Sequence, residues 1–162
     1  MFVYKTKRSP DKFSLRGFTL IELLVVIAII ALLSTTVMAS LNTARMKSRD
    51  AKRLADIKQL MTALEMAFDA NNGYPSIGSD NAGYDIAGLS TALSTFMSPL
   101  PKDPLGSTWA TYHYVRGPGA TSYGILIRLE QISSHTHPIT GQCKIGQGIN
   151  NGWWGGNVPI CG

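Results

Sequence analysis

Hydrophobic and polar positions along this chain fall into three regimes, each predicting a different kind of element. From Phe18 to Leu41 the residues are apolar, small or hydroxyl-bearing, and Glu22 is the one charge among them. As a helix this stretch measures about 36 Å at roughly 1.5 Å per residue, enough to cross a bilayer core of about 30 Å. From Ala44 to Ala70 there is neither Gly nor Pro, and Leu54, Ile57, Met61, Leu64 and Phe68 recur at three-then-four spacing with Leu60 beside them. That periodicity predicts an amphipathic helix whose apolar stripe packs on a core, and it makes the Met61, Met66 and Phe68 group core packing rather than a ligand pocket. The two stretches join into one helix from about Phe18 to Asn71. Asn71-Asn72-Gly73 followed by Pro75 ends it, with Asn or Gly available for a left-handed cap.

Beyond Gly73 the period changes. Tyr74 to Leu105 reads as a loop-rich connector, within which Leu89, Leu93, Phe96 and Met97 suggest a short amphipathic helix. Pro99, Pro101 and Pro104 then enforce an extended, turn-rich exit. Trp109–Val115 and Ser122–Glu130 read as strands joined by a Gly-Pro-Gly turn around Arg116–Thr121. In the second strand Tyr123, Ile125, Ile127 and Leu129 alternate with Gly124, Leu126, Arg128 and Glu130, the pattern of one buried face. A further strand is expected between Gln131 and Ile145. These connections are too short for crossover helices, so the sheet is antiparallel. The fold class is α+β: a long N-terminal helical spine, its first half membrane-spanning, packed on a small antiparallel sheet.

Charge changes the picture mainly through its distribution. The formal charge is +5, but Lys5, Lys7, Arg8, Lys12 and Arg16 against Asp11 place +4 before Phe18. The ten basic and nine acidic residues after Gly17 leave only +1, so no broad basic surface for nucleic acid is implied. Arg45, Lys47, Arg49, Lys52 and Arg53, broken by Asp50, form the one dense downstream cluster, read as a solvated helix face beside a membrane. Glu22 stands apart. An ionisable group costs up to about 3 kcal/mol at mid-bilayer and less near the edge, which marks it as a functional residue.

Three readings compete for residues 1–41. A secretory signal peptide would be cut after a sequence such as Val37-Met38-Ala39, but the apolar stretch is too long and its early carboxylate atypical. A plain signal anchor leaves Glu22 without a role, and basic clusters on both sides prevent the positive-inside rule from orienting it. The third reading rests on Gly17-Phe18-Thr19-Leu20-Ile21-Glu22 followed by Leu23-Leu24-Val25-Val26-Ile27 behind a basic leader. This string resembles the signature of type IV pilins and type II secretion pseudopilins. The string Leu100-Pro101-Lys102-Asp103-Pro104-Leu105-Gly106, followed by Tyr112 and Tyr114, resembles the LPxDPxG segment of major pseudopilins and related pilins. By itself Asp103 reads as a turn former, since no second carboxylate or His accompanies it.

The resemblance implies a specific history for the chain. Residues 1–17 would be a cytoplasmic leader removed by prepilin peptidase between Gly17 and Phe18, with Phe18 then N-methylated. Residues 18–41 would form the transmembrane and assembly helix, 42–72 the second half of the spine, and 73–162 the globular head. Gly17 suits the scissile position because it lacks a side chain to obstruct approach. Cleavage frees an amine on Phe18, four residues before Glu22, and an amine and a carboxylate in an apolar core are tolerable when paired. In the family the glutamate is thought to meet the N-terminal amine of a neighbouring subunit, so Glu22 would fix axial register. Many relatives carry Gly and Pro within the apolar run; here Ala31 and Ala39 occupy those positions, so a more continuous helix is expected. The partners implied are the membrane, prepilin peptidase, an inner-membrane pilus or secretion assembly platform, and other copies of the chain. The location implied is the bacterial inner membrane, as a single-pass precursor with its N-terminus cytoplasmic. A cell-surface, extracellular or periplasmic filament would follow.

Cys143 and Cys161 enclose a glycine-rich segment with little apolar anchoring. A disulfide closing it would stabilise the fold by about 3 kcal/mol in the chain-entropy model, and an oxidising compartment would permit it. Two free thiols, or a metal site with His113, His135 or His137, are the other readings, although the spacing is not that of a zinc motif. The resemblance favours the bridge, since many type IV pilins carry a disulfide-bounded C-terminal region. Trp153 and Trp154 lie inside this loop, where exposed aromatics would contact sugars, surfaces or a partner; the alternative is that at least one indole tucks back onto the sheet.

No nucleophile–base pair, phosphate loop or paired-carboxylate site occurs, so no enzyme, cofactor or metal is expected. Major pseudopilins often bind calcium after the sheet, but no Asp or Glu follows Glu130 here, and that site is not carried over. The expected function is a structural subunit of a type IV pilus-like filament. The alternatives are a type II secretion pseudopilin, a competence pilin that captures DNA, and a signal-anchored binding module that never polymerises.

Overall fold

The computed structural model describes residues 17–106, 112–137, 140–150, 152–155 and 158–161. The leader before Gly17 and the beginning of the strand expected from Trp109 lie outside them. The chain divides into two compact units, one ending at Leu41 and the other beginning at Asn42.

In the first unit the predicted helix forms. α1 spans Leu20–Asn71, 52 residues without interruption, and passes through Ala31 and Ala39. Its apolar part reaches a mean hydropathy of 2.6 over 18 residues, with none of that window buried. The hydroxyls of Ser34, Thr35 and Thr36 donate to the carbonyls of Ile30, Leu32 and Leu33 at 2.7–2.9 Å. Such back-bonding satisfies the only side-chain hydroxyls in the middle of the apolar run without water.

The second unit packs the remainder of α1 on a four-stranded antiparallel sheet in the order β1-β2-β3-β4. Its strands are β1 (Tyr84–Asp85), β2 (His113–Arg116), β3 (Tyr123–Arg128) and β4 (Gln142–Gln147). Register is fixed by pairs such as Tyr114 with Ile125 and Ile127 with Cys143. The two-residue edge strand β1 carried no sequence signal, since two residues show no alternation. Leu89 and Leu93 are buried as expected, but as a 3-10 turn over Ile86–Leu89 followed by irregular turns rather than an α-helix. Asp85 caps that turn, its Oδ1 accepting the Ala87 N–H at 2.7 Å. At the end of α1 the left-handed residue is Asn72, with φ +54.

The buried face of α1 differs from the apolar stripe read from spacing. Ile57, Leu60, Ala63, Leu64 and Ala67 are buried, whereas Leu54, Met61 and Phe68 are partly buried flanks. The face is thus turned by about 70° toward Ala63 and Ala67. Alanine at those positions allows close approach to the sheet, a gain that apolar spacing does not register. Against this face pack Tyr74, Leu89, Leu93, Tyr114, Tyr123, Ile125 and Ile127.

β3 also departs from simple alternation. Gly124 and Leu126 are buried along with Tyr123, Ile125 and Ile127, so both faces of the strand are covered. The second cover comes from the C-terminal loop, whose Ile160 pairs in parallel with Lys144. Lys144 N–H donates to Pro159 O at 2.9 Å, and Cys161 N–H donates to Lys144 O at 3.0 Å.

Candidate functional site

At the head of α1, Gly17 and Phe18 precede the first helical turn, and the Phe18 ring is 83% exposed. Thr19 is the residue before the helix, and Glu22 is the third residue within it. The Thr19 N–H and hydroxyl both donate to Glu22 Oε2, at 2.8 and 2.7 Å, and the Glu22 N–H reaches Thr19 Oγ1 at 3.3 Å. This reciprocal Thr-x-x-Glu arrangement is a capping box, which satisfies two of the donors that a helix start leaves open. Sequence reasoning assigned Glu22 a partner on another chain and missed the one three residues away, although the Thr-x-x-Glu spacing was there to read. Beyond it Leu20, Ile21, Leu23–Ile27, Ile29, Ile30, Leu32 and Leu33 are all large and exposed.

The basic cluster downstream is only in part the solvated face expected: Arg45, Lys47 and Lys52 are exposed, Arg49 is half-buried, and Arg53 turns inward. Arg53 is fully buried and joins three carboxylates. Its Nε donates to Asp103 Oδ2 at 2.7 Å, and Nη2 reaches Asp103 Oδ1 at 3.2 Å. Its Nη1 donates to Asp50 Oδ1 and Glu130 Oε1, both at 2.7 Å. Arg49 adds Nε to Glu130 Oε1 at 2.6 Å, together with an ion pair from Nη2 to Oε2. Asp50 also accepts the backbone N–H groups of Glu130 and Gln131 at 2.9–3.1 Å. Two guanidiniums and three carboxylates thereby fasten α1 to the proline-rich segment and to the end of β3.

The electrostatics follow from those contacts. Burial opposes the charge on Arg53, but hydrogen bonds to Asp103, Glu130 and Asp50 outweigh it and raise its pKa further. The Arg49 hydrogen bond, working against burial and aided by Arg53, holds the Glu130 carboxyl down at about 2. Asp103 does make the turn expected of it, Oδ1 accepting the Leu105 N–H at 2.8 Å, while its other role as the Arg53 counter-ion was missed. A signal existed: Asp50 and Arg53 continue the spacing of Ile57, Leu60 and Leu64 toward the N-terminus, placing both on the core side. Lys52 pairs with Asp56 at 2.8 Å, so only Arg45 and Lys47 of the five cations lack a carboxylate partner among the described residues.

Cys143 and Cys161 are bonded across a separation of 18 residues. Inside the loop the two tryptophans differ. Trp153 is buried, its Nε1 donating to Asn81 Oδ1 at 2.9 Å, so its indole is not offered to the surface as an exposed pair would require. Trp154 is half-buried at 78° to it, close to Gly83 and Gly124. A Cβ on Gly124 would stand 2.9 Å from the Trp153 ring, which explains a glycine in the middle of β3. Among the described residues, no group of three or more His, Cys, Asp or Glu side chains is placed to hold a metal ion.

Comparison with known proteins gives this geometry its context. Residues 14–38 match the model of the prokaryotic N-terminal methylation motif. The chain is 32% identical over 115 residues to the type II secretion system core protein G of Pectobacterium carotovorum subsp. carotovorum, covering 64% of this chain and 68% of that protein. It is also 32% identical over 108 residues to the protein of the same name from Escherichia coli (strain K12), covering 63% and 73%. The Aeromonas hydrophila protein of that name is 32% identical over 102 residues, covering 57% and 69%. The chain belongs to the type IV pilin and pseudopilin family. No solved structure gives a significant match. For a pilin-like chain, the exposed spine and the sealed head are the two features to be explained. The large apolar side chains described between Leu20 and Leu41 are exposed, and the second unit buries a core behind a salt-bridge cluster and a disulfide.

Proposed function

We propose that this chain is a structural subunit, not an enzyme, of a helical filament of the type IV pilus class. It is made as a single-pass inner-membrane precursor with a cytoplasmic N-terminus, and prepilin peptidase cuts it between Gly17 and Phe18 and N-methylates Phe18. An assembly platform then draws it out of the membrane into a filament at the cell surface or in the periplasm. The observation that carries this reading is the methylation motif at the start of a helix whose large apolar side chains from Leu20 to Leu33 are exposed. Such a surface is stable only in lipid or against other copies.

Glu22 supports the same reading through its unused oxygen. Oε2 takes both Thr19 donors, while Oε1 accepts none among the described residues. The methylated amine of Phe18 on a neighbouring copy would fill that position and fix the axial register as the helices pack. N-terminal analysis of the exported protein tests the cleavage, with N-methyl-Phe18 as the expected first residue. A chain beginning at Met1 or Ser40 would overturn the filament reading.

A second reading, the pseudopilus of a type II secretion system, is favoured by the names of the relatives. Deleting the gene distinguishes the two. Loss of surface filaments supports a pilus; loss of protein export with surface filaments unchanged supports a pseudopilus. The competence reading is weakened, because Arg49, Lys52 and Arg53 are each engaged by a carboxylate.

A further inference from the structure

The outer face of α1 beyond the membrane-spanning part carries charges that no ion pair among the described residues engages. At about 100° per residue, Lys47, Lys58, Glu65 and Asp69 fall within about 40° of one another around the helix axis. All four are exposed, and none makes an ion pair among the described residues. Glu65 only accepts hydrogen bonds from the hydroxyls of Tyr74 and Tyr123, at 2.9 and 3.3 Å. Along the helix the two cations come first and the two anions second. Ala51, Ala55 and Thr62 are the exposed small residues beside them, with the larger Met66 further round the helix.

We infer that this bipolar stripe is a docking surface for further copies of the same chain, set parallel and shifted along the helix axis. The basic half of one copy, Lys47 and Lys58, meets the acidic half of the next, Glu65 and Asp69. The inference rests on the filament reading, which supplies many copies anchored by the same apolar segment. Shared anchoring makes the copies parallel, and parallel copies without a shift would set like charge against like. A shift of seven residues brings Lys58 opposite Glu65, and one of 22 residues brings Lys47 opposite Asp69, or about 10 to 33 Å at 1.5 Å per residue. Each copy then offers its basic half to one neighbour and its acidic half to the other, a heterologous contact that propagates rather than closing. The small residues matter because charges are screened within about 8 Å at physiological ionic strength, so the helices must come close.

A charge-swap experiment on the full-length chain tests this, in cells that supply the peptidase and the assembly machinery. One variant carries Lys47→Glu with Lys58→Glu. The other carries Glu65→Gln with Asp69→Lys, the glutamine still accepting from the two tyrosines. Each alone sets like charge against like, and filament yield is expected to fall about tenfold, or about 1.4 kcal/mol per contact. Produced together, the two variants restore the attraction in every contact between unlike copies, and yield should return to within about twofold of the parent. Mass measurement of the processed, disulfide-bonded chain confirms folding in each case. If the parent forms filaments and both variants match it, or if co-production fails to restore yield, the docking surface is wrong and the filament reading stands. If the parent is never filamentous, the proposed function falls and the docking surface with it.

Discussion

Arg53 shows how one side chain can be misread from its neighbours. In sequence it belongs to a basic cluster; in the fold it is the cation on which Asp50, Asp103 and Glu130 converge. Removing one member of a buried ionic group leaves its partners desolvated without compensation, at a cost of about 3–5 kcal/mol. Arg53→Met is therefore expected to lower the unfolding free energy of the disulfide-bonded protein by that amount in denaturant titrations. Arg45→Ala, at an exposed position, should change it by less than about 0.5 kcal/mol. Gly124 is constrained differently, by a ring rather than by charge. Gly124→Val places side-chain atoms where Trp153 lies, and overpacking of this kind costs about 1–3 kcal/mol. A red shift of tryptophan emission in the folded variant would show the indole displaced toward water.

Among the elements, the C-terminal loop depends most on a constraint that its own side chains do not supply. It covers the outer face of β3 with Trp153 and extends the sheet edge through Ile160, yet it is held to β4 by the bridge to Cys143. Closing 18 residues in the unfolded chain is worth about 3 kcal/mol in the entropy model. Replacing both cysteines with serine should lower stability by roughly that much and raise quenching of Trp153 by iodide, while the helix signal in circular dichroism persists. Quenching that stays at the parent level would show that the loop holds its place by packing alone. α1 contrasts with this loop, because its second half is secured by Ile57, Leu60, Leu64 and the Arg53 cluster together.

For the molecule as a whole, pH reports on the ionic fastening. The Glu130 carboxyl lies near 2 in the folded protein against an ordinary value of 4.5, so its ionised form favours the folded state. That contribution is complete above pH 4.5 and is lost as pH falls from 4.5 through about 2. The unfolding midpoint should drop across that window, and Glu130→Gln should flatten the dependence while lowering stability at neutral pH. The long helix, its capped end, the antiparallel sheet and the family were legible along the chain, because periodicity, turn residues and the Gly17–Glu22 string are local. So was the single loop between the two cysteines. Which face of α1 is buried depends on packing, since close approach at Ala63 and Ala67 requires the sheet opposite. The same holds for Arg53 and Trp153. Asp103 and Glu130 lie 50 and 77 residues from Arg53, and Asn81 lies 72 residues from Trp153. No local pattern encodes contacts across such separations, and burial turned a charge cluster and an aromatic pair into internal fastenings.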